Sequence, residues 1–193
     1  MSKITVDTVE PATGTSLTLG ANGDTITIPA GATITNSGTS TGFGGLVQLV
    51  TSKSQAKVTS TTVLDWESTS AWTTSMGAEL LTCSITPTSS SNRLVVTCNI
   101  ITTTESGSVP AIGLWQDSGT NAIAGANGAR WDTDTGTPIA IIWEQAAGTT
   151  SSTTFKVRGG PQSSGTLYMN GRNNTVAWGG VPVSTITIME IAV

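Results

Sequence analysis

Three tryptophans that each lie beside a polar turn are the side chains best suited to bind a ligand. Trp131 precedes a pair of alternating carboxylates, while Trp115 and Trp178 lie next to segments rich in Gly and Asn. A flat aromatic face stacks on a sugar ring, and neighbouring Asp and Asn side chains form hydrogen bonds with its hydroxyls. The sequence therefore predicts glycan-binding loops built from Trp115, Trp131, Asp132, Asp134 and Trp178. The alternative for each tryptophan is burial in the core or at a subunit interface.

Asp132 and Asp134 alternate before Gly136, as in a small calcium-binding loop. Two carboxylates and nearby carbonyls supply part of the oxygen shell that Ca²⁺ takes, but a complete site needs further ligands at fixed offsets. No such ligands follow in the sequence. We expect a solvated turn here and predict neither a metal nor any other cofactor.

The chain contains no His, which excludes several catalytic classes. No Ser-His-Asp or Cys-His pair and no zinc site built on imidazole can exist. Asp65 and Glu67 are separated by one residue, and this spacing does not give the opposed carboxyls of a glycosidase. Acid–base chemistry by Asp and Glu alone is allowed, so a glycan depolymerase is the enzyme alternative. The scattered carboxylates and the short chain favour a protein that is not an enzyme.

Two cysteines, Cys83 and Cys98, lie in predicted strands on the same parity as their aliphatic neighbours. The intervening segment Pro87–Asn92 is typical of a turn, so we expect the two strands to pair as a hairpin with both thiols facing the core. A hairpin centred near residues 89–90 places Cys83 opposite Val96 rather than Cys98. We therefore predict reduced, buried thiols that act as small apolar side chains, rather than a disulfide, a redox pair or a metal pair.

The charge balance excludes further partners. Eight Lys and Arg against 12 Asp and Glu give a net charge of −4. Polyanion binding requires clustered cations that displace counterions, and the sequence has no such cluster, so no nucleic acid is expected as a partner. No apolar run reaches the ~18 residues of a membrane span, and the first ten residues lack the basic and apolar regions of a secretory signal. These features predict a soluble protein made in the cytoplasm, without membrane insertion.

The elements that must position the candidate residues are predicted to be strands. Charged residues make up 10% of the chain and hydrophobic residues 37%, against about a quarter and about 45–50% in ordinary globular domains. Thr, Ser and Gly fill the difference, which favours strands and turns over helices. The predicted fold class is all-β.

The chain is predicted to divide near residue 44. Residues 1–44 are expected to form a stem of short β-rungs, because aliphatic pairs alternate with tight turns and recur at a nine-residue spacing. So few aliphatics cannot form a core alone, so the stem must pair with copies of itself or with another protein. The alternative is a disordered leader. The aliphatic residues assigned to trimerisation and virion attachment are Ile4, Val6, Leu17, Leu19, Ile26, Ile28 and Ile34.

Residues 45–193 are predicted to form the head, a jelly-roll-like β-sandwich. All six Trp lie in this part, together with most of the aliphatics. About nine strand-like runs separated by turns of Gly, Ser, Thr and Asn are typical of two packed sheets. The predicted strands are 46–51, 55–64, 79–86, 93–102, 111–116, 138–145, 153–158, 165–169 and 183–193.

The last predicted strand is apolar on both faces near its end. Ile186 and Ile188 share one parity, and Met189, Ile191 and Val193 continue on the other. A half-exposed strand would not show this pattern. A bulge would explain it, and so would burial of Met189, Ile191 and Val193 between subunits. The second is favoured, because the stem independently requires a partner.

Both ends of the chain resemble the fibre and appendage proteins of tailed bacteriophages, marine ones in particular. The N-terminal match consists of SKITVD (2–7), SLTLGANGDTITIP (16–29) and GATITNSG (31–38). The match to the head consists of SITPTSSSNRLVV (84–96) and STITIMEIA (184–192). Residues 100–180 match weakly. The family often has an Arg after the apolar residues of the strand around Leu114, where this chain has Leu114-Trp115-Gln116-Asp117.

The resemblance implies a homotrimer. In this family, N-terminal strands intertwine and attach to the virion, and a jelly-roll head at the other end contacts the host surface, usually through glycan. We therefore predict a phage virion protein that is not an enzyme: a short trimeric tail or head fibre, or a knob. Its partners would be itself, a phage tail or capsid protein, and host surface polysaccharide. The alternatives are a capsid decoration protein without receptor binding and a soluble lectin of cellular origin.

Overall fold

The structure, a computed structural model, describes residues 9–11, 13–33, 35, 45–65, 67–105, 107–129, 136–173 and 175–193. The chain forms two compact units, Met1–Phe43 and Gly44–Val193. In the part of the chain that is described, no helix is long and apolar enough to cross a membrane.

The described residues of the second unit form twelve strands and one short 3-10 turn. The strands are β1 (Leu46–Ser54), β2 (Val58–Ser60), β3 (Ala78–Ile85), β4 (Arg93–Thr104), β5 (Pro110–Gln116), β6 (Ala124–Asn127), β7 (Thr137–Ala146), β8 (Thr153–Pro161), β9 (Leu167–Met169), β10 (Gly171–Arg172), β11 (Thr175–Val176) and β12 (Ser184–Ile191), and the 3-10 turn is Ala177–Gly180. Each of the nine predicted strands overlaps an observed one. The sequence does not predict β6, β10 and β11, because two to four residues are too few to show an alternating pattern.

The strands form two antiparallel sheets and a separate two-stranded ladder. The first sheet runs β1-β12-β4-β9-β2, and β7 also pairs with β4. Asn99 of β4 pairs with Thr185 of β12 and with Ala140 of β7, so β12 and β7 lie on opposite edges of β4. The second sheet runs β3-β8-β5-β6, and β10 pairs with β11.

The two sheets pack face to face around one main core. Several strands bury the side chains of one face, as in β4, where Leu94, Val96, Cys98 and Ile100 alternate with more exposed residues. This period of two is the pattern that predicted the strands. The rest of the core consists of Leu80, Leu81, Cys83, Ile85, Ile112, Leu114, Ile139, Ile141, Ala147, Phe155, Val157, Leu167, Met169, Ile186 and Ile188. The predicted all-β sandwich is confirmed.

Both cysteines are free and buried, as predicted, but the predicted hairpin is wrong. β3 pairs with β8 in the second sheet, whereas β4 pairs with β12, β7 and β9 in the first. Pro87–Asn92 therefore connects the two sheets, and six residues can cross the ~10 Å between packed sheets. Cys83 and Cys98 face the core from opposite sheets.

A second, smaller core lies on the outer face of the second sheet. Leu64, Ala111 and Trp115 are buried there, with Trp72, Met76 and Ala122 packed against them. The close approach of the rings requires glycine in β5, because a Cβ at Gly113 would lie 2.6 Å from Trp115 Cζ3. The segment between β2 and β3 thus covers part of this sheet.

In the first unit, the described residues 9–11, 13–33 and 35 form turns and irregular segments, with no strand among them. One turn is closed by Asp24: its N–H donates to the Ala21 carbonyl (3.0 Å), and its carboxylate accepts the Ala21 N–H (2.7 Å). Gly23, at φ 94°, adopts a conformation that favours glycine.

The two aliphatic pairs of the first unit that lie within the described residues are exposed. Leu17, Leu19, Ile26 and Ile28 have exposed fractions of 46%, 63%, 58% and 47%. The predicted rungs are therefore not formed among these residues of a single chain, since short strands need a hydrophobic face to pack against. Pairing between chains stays a prediction. Ile4, Val6 and Ile34 lie outside the described residues.

Candidate functional site

A cleft beside Trp178 is a candidate ligand site, because an exposed aromatic ring forms part of its wall. Its volume is about 290 Å³, close to the lower end of the ~300–1,000 Å³ typical of small-ligand sites. It is lined by Ile101, Thr103, Gly136, Arg172, Thr175, Val176, Ala177 and Trp178.

The buried Asn170 positions the ladder and turn that form one wall of the cleft. Its Nδ2 donates to the Ser54 carbonyl (2.8 Å), and its Oδ1 accepts the Ser184 hydroxyl (2.8 Å). Its backbone carbonyl accepts the Ala177 N–H (3.1 Å). With φ at 54°, Asn170 takes the left-handed conformation that Asn tolerates. The β10–β11 ladder is thereby fixed to the edge of the first sheet.

The turn that carries Trp178 has an unusual backbone. Trp178 lies at φ 43° and ψ 44°, and Gly179 at φ 66° and ψ 17°. Gln55 Nε2 holds the turn by donating to the Gly180 carbonyl (3.1 Å). A left-handed conformation of a bulky residue costs on the order of 1–3 kcal/mol. The indole is nevertheless 69% exposed, so burial of the ring does not offset this cost.

The lining of the cleft combines the indole ring of Trp178 with polar side chains. A Cβ at Gly136 would lie 3.3 Å from Trp178 Cη2, so glycine lets the ring approach the start of β7. Thr103 Oγ1 donates to the Gly171 carbonyl (2.6 Å), and Thr175 Oγ1 donates to the Arg172 carbonyl (3.2 Å). The Thr175 hydroxyl oxygen keeps acceptor capacity on the exposed side of the cleft, whereas Thr103 is only 4% exposed and Arg172 already has an interaction within the protein.

The structure separates the predicted glycan-binding residues. Trp178 is exposed at the cleft, whereas Trp115 is 1% exposed and belongs to the second core. Trp115 therefore presents no ring face to solvent, because the covering segment between β2 and β3 packs on it. Trp131, Asp132 and Asp134 lie outside the described residues. In the described part of the chain, no group of three or more Cys, Asp and Glu could hold a metal ion.

The outer face of the first sheet is the second candidate surface, and it contains the predicted C-terminal interface residues. β12 pairs with β4 from Thr185 to Ile191 without a register shift. Its pairing with β1 does shift register, between Leu46 and Gln48 on the β1 side. An irregularity is therefore present at the end of β12, but it lies in β1 and does not interrupt the alternation of β12 itself. Met189 and Ile191 point outward and are half-buried, and Val193 is exposed. Their outward position follows from the strict alternation of the strand.

Apolar residues of neighbouring strands continue this surface. Leu49 of β1 pairs with Met189, which pairs with Val95 of β4, and Leu46 pairs with Ile191. Leu49 is 54% exposed. We name this set the assembly face; its members are Leu46, Leu49, Val95, Ile142, Met189 and Ile191. Sequence reasoning missed Leu46, Leu49, Val95 and Ile142. The alternation of 93–102 indicated the outward position of Val95, and that of 138–145 indicated the outward position of Ile142. Leu46 and Leu49 have opposite parity and share a face only because the pairing of β1 with β12 shifts register between Leu46 and Gln48.

Outside the part covered by the segment between β2 and β3, the outer face of the second sheet is polar, by contrast. Its outward cross-strand pairs include Glu79 with Arg158, Thr82 with Lys156 and Ser84 with Thr154. A solvated sheet face normally has this composition. The ion pair on the assembly side is Arg93 with Glu144, at 2.9 Å and about half exposed. The two faces of the sandwich therefore differ in the environment that they fit.

A buried carboxylate, Glu190, lies on the inward side of β12 between Met189 and Ile191. It is 0% exposed. Its Oε1 accepts the Thr88 N–H (2.8 Å), the Thr88 hydroxyl (2.8 Å), the Ser89 N–H (3.3 Å) and Asn92 Nδ2 (2.6 Å), and its Oε2 accepts Gln48 Nε2. Burial raises the pKa of this carboxyl, but the hydrogen bonds outweigh it and lower the pKa to about 2. Glu190 thus anchors the connection between β3 and β4.

Comparison with known proteins gives weak structural likenesses, among them the following three. No family model matches the chain, and no curated protein matches it. The VP2 subviral particle of infectious bursal disease virus is similar with a TM-score of 0.35 and 8% identity, over 76% of this chain and 40% of that one. A structure of the Gx strain of the same virus gives 0.33 and 11%, over 75% and 40%. The enzymatically active domain of tailspike protein 4 of bacteriophage CBA120 gives 0.27 and 12%, over 66% and 19%. The chain thus spans less than half of each of these proteins, and likenesses of this size do not bear on what it does.

Proposed function

We propose that the chain is a phage virion structural protein without enzymatic activity: a short trimeric fibre or knob. Residues 1–44 attach it to a tail or capsid protein and hold the trimer, and the head, 45–193, is exposed and contacts host surface polysaccharide. The resemblance of residues 2–38, 84–96 and 184–192 to phage fibre proteins motivates this proposal.

The exposure of the stem aliphatics carries the proposal. Leu17, Leu19, Ile26 and Ile28 are each close to half exposed or more in the single chain. These four side chains recur at a nine-residue spacing and are in contact with water. Packing against the same residues of other copies would remove them from water, which is favourable. Burying each would contribute up to about 1.5–3 kcal/mol. Three chains together would supply the hydrophobic face that one stem lacks.

Fully extended at ~3.3 Å per residue, residues 1–44 span at most about 145 Å. The turns at residues 21–24 and 29–32 shorten this segment.

The assembly face is the second region through which copies would associate. Its rows Leu49–Met189–Val95 and Leu46–Ile191 cross β1, β12 and, in the first row, β4. The paired charges Arg93 and Glu144 lie at its border. A face of this composition is more typical of an interface core than of a solvated sheet. The exposed cleft at Trp178, in turn, favours host contact over a purely decorative role on the capsid.

The test is the mass of the full chain in solution, measured by size-exclusion chromatography with light scattering. We expect three times the 19.6 kDa of one chain. The double variant Leu17→Asp/Ile26→Asp should lose trimer, because three copies of each carboxylate would meet in the stem. The matched control Thr18→Asp/Thr27→Asp, at the exposed neighbouring positions, should retain it. A monomeric parent chain would refute the trimeric fibre, and equal behaviour of the two double variants would remove the stem from the interface.

A further inference from the structure

We propose that the turn at Asn22-Gly23 in the first unit is a site of spontaneous covalent modification, at which the Asn22 side chain deamidates to Asp and isoaspartate. The reaction concerns the first unit alone and lies beyond the proposed function, on which it does not depend. Asn followed by Gly favours this reaction, because glycine has no side chain to hinder the attack of its backbone nitrogen. The chain contains three such dipeptides, at Asn22, Asn127 and Asn170, and their surroundings differ.

The reaction joins two groups of the same chain and needs water as its co-reactant. The Gly23 backbone nitrogen attacks Cγ of Asn22, so that a new N–Cγ bond forms and the Cγ–Nδ2 bond breaks. The side-chain nitrogen leaves as ammonia, which carries away the proton of the Gly23 nitrogen, and a five-membered succinimide ring remains. Water then cleaves the ring. Cleavage of the N–Cγ bond gives Asp, and cleavage of the original peptide bond gives isoaspartate, whose backbone runs through Cβ and Cγ.

At Asn22 both reacting groups lie in water. Asn22 and Gly23 are exposed, and neither the Asn22 amide nor the Gly23 N–H forms a hydrogen bond with another described residue. No described atom lies within 4 Å of a Cβ placed on Gly23. The turn is closed by two hydrogen bonds between Ala21 and Asp24, at 3.0 and 2.7 Å. Because water competes with both bonds at the surface, the turn opens at low cost and the Gly23 nitrogen can reach Cγ.

At Asn127 the side chain is also exposed, but the attacking nitrogen is held. The Gly128 N–H donates to the Pro110 carbonyl (2.8 Å). A Cβ at Gly128 would lie 2.8 Å from Pro110 Cγ and 2.8 Å from Thr137 Cγ2, so the backbone is packed closely here. Attack on Asn127 therefore requires the end of β6 to separate from β5, which lowers the rate by the population of that opened state.

At Asn170 the side chain itself is held and shielded from water. It is 0% exposed. Its Nδ2 donates to the Ser54 carbonyl (2.8 Å), and its Oδ1 accepts the Ser184 hydroxyl (2.8 Å). Deamidation would break both hydrogen bonds and needs water at a buried carbon. It should therefore follow only from unfolding of this part of the head.

The test is peptide mapping by mass spectrometry of the full chain during incubation at pH 8. Deamidation is read from the exchange of NH₂ for OH in each peptide, and isoaspartate from its methylation by protein isoaspartyl methyltransferase. We expect Asn22 to react about tenfold faster than Asn127 or Asn170, or more. The same chain in concentrated urea is the matched control, because the three dipeptides are then equally exposed and their rates should agree within about threefold. Asn22→Gln should leave residue 22 unmodified, because a glutamine would have to close a six-membered ring.

Three results would overturn the proposal. The first is a rate at Asn22 in the folded chain no higher than at Asn127. The second is a product that contains Asp but no isoaspartate, because ring opening gives both. The third is a rate at Asn22 that falls from pH 6 to pH 8, since the attacking nitrogen must lose its proton and the rate should rise. The mass of the unmodified chain in solution, measured before incubation, tests the trimeric fibre independently.

Discussion

Replacing the buried Glu190 by Gln should destabilise the head and remove a defined part of its acid sensitivity. The carboxylate accepts four hydrogen bonds at Oε1, from Thr88, Ser89 and Asn92, and one at Oε2 from Gln48. Gln keeps the shape and one acceptor oxygen, but it removes the charge and turns an NH₂ toward the Gln48 amide. Hydrogen bonds to a charged group contribute about 1.5–3 kcal/mol and neutral ones about 0.5–1.5.

The magnitude follows from the pKa of Glu190. The pKa is lowered from 4.5 to about 2, and each pKa unit corresponds to ~1.36 kcal/mol, so the charged form contributes up to about 3 kcal/mol. Since the folded pKa is below the unfolded one, this stability is fully present above about pH 5 and is lost as the pH falls toward 2. We therefore expect Glu190→Gln to cost about 2–3 kcal/mol of unfolding free energy at pH 7 and much less at pH 2.

The assay is urea unfolding followed by tryptophan fluorescence at equal protein concentration, at pH 7, 5, 3 and 2. The difference between parent and Glu190→Gln isolates this residue, because all other carboxyls titrate in both proteins. Glu144→Gln is the matched control: its ion pair with Arg93 is about half exposed, and such pairs contribute about 0–1 kcal/mol. If the difference in unfolding free energy between the parent and Glu190→Gln stays constant from pH 7 to pH 2, the reasoning is refuted.

Two further predictions concern the thiols and the assembly face. Burial, and then the neighbouring Cys83, raise the pKa of the Cys98 thiol to about 12. Both cysteines of the folded protein should therefore resist a thiol reagent at pH 8 and react only at the rate of unfolding. Rapid labelling of the folded protein would contradict their burial. Leu49→Lys should shift the full chain toward monomer in light scattering, because the new charge would lie in the proposed interface. Thr82→Lys, on the polar face of the second sheet, is the control and should leave the mass unchanged. Equal masses for the two variants would show that the assembly face is not part of the interface.

The sequence predicted local pattern better than connectivity. In β4 the alternation of Leu94, Val96, Cys98 and Ile100 predicted both the strand and its buried face, because a period of two is encoded within one segment. The hairpin of β3 and β4 was wrong, because a six-residue polar connection fits a turn and a crossing between sheets equally well. In the structure, the partners that hold this connection are distant in sequence: Glu190, about a hundred residues further along the chain, accepts its donors, and β3 and β4 pair with strands of different sheets.

The same limit applies to the tryptophans of the candidate site. Trp115 and Trp178 both lie beside polar turns in the sequence, yet one is buried and the other exposed. Trp115 is covered because Gly113 lets rings pack on β5, a contact with a segment about forty residues earlier. Trp178 is exposed because a run of left-handed residues turns it away from the sheet. Turn composition indicates the place of such rings, and only tertiary packing indicates which way they face.

Glu190 also explains why the end of β12 has its apolar residues on the outside. Here a charged side chain, Glu190, lies inside while the apolar Met189 and Ile191 lie outside. Shifting the register of the strand by one residue would reverse this and bring Met189 and Ile191 into the core. That shift would also take the carboxylate away from all the donors it satisfies, and would turn the buried Ile186 and Ile188 outward. The hydrogen bonds of the buried Glu190 therefore favour the observed register of β12. In this register Met189 and Ile191 point outward, and they are only half-buried in the single chain. Leu46, Leu49 and Val95 extend the same surface across β1 and β4. Glu190→Gln removes some of these hydrogen bonds and should thus weaken the association of the chains as well as the folding of the head. If the trimer of this variant dissociates at the same dilution as the parent, Glu190 contributes to folding but not to assembly.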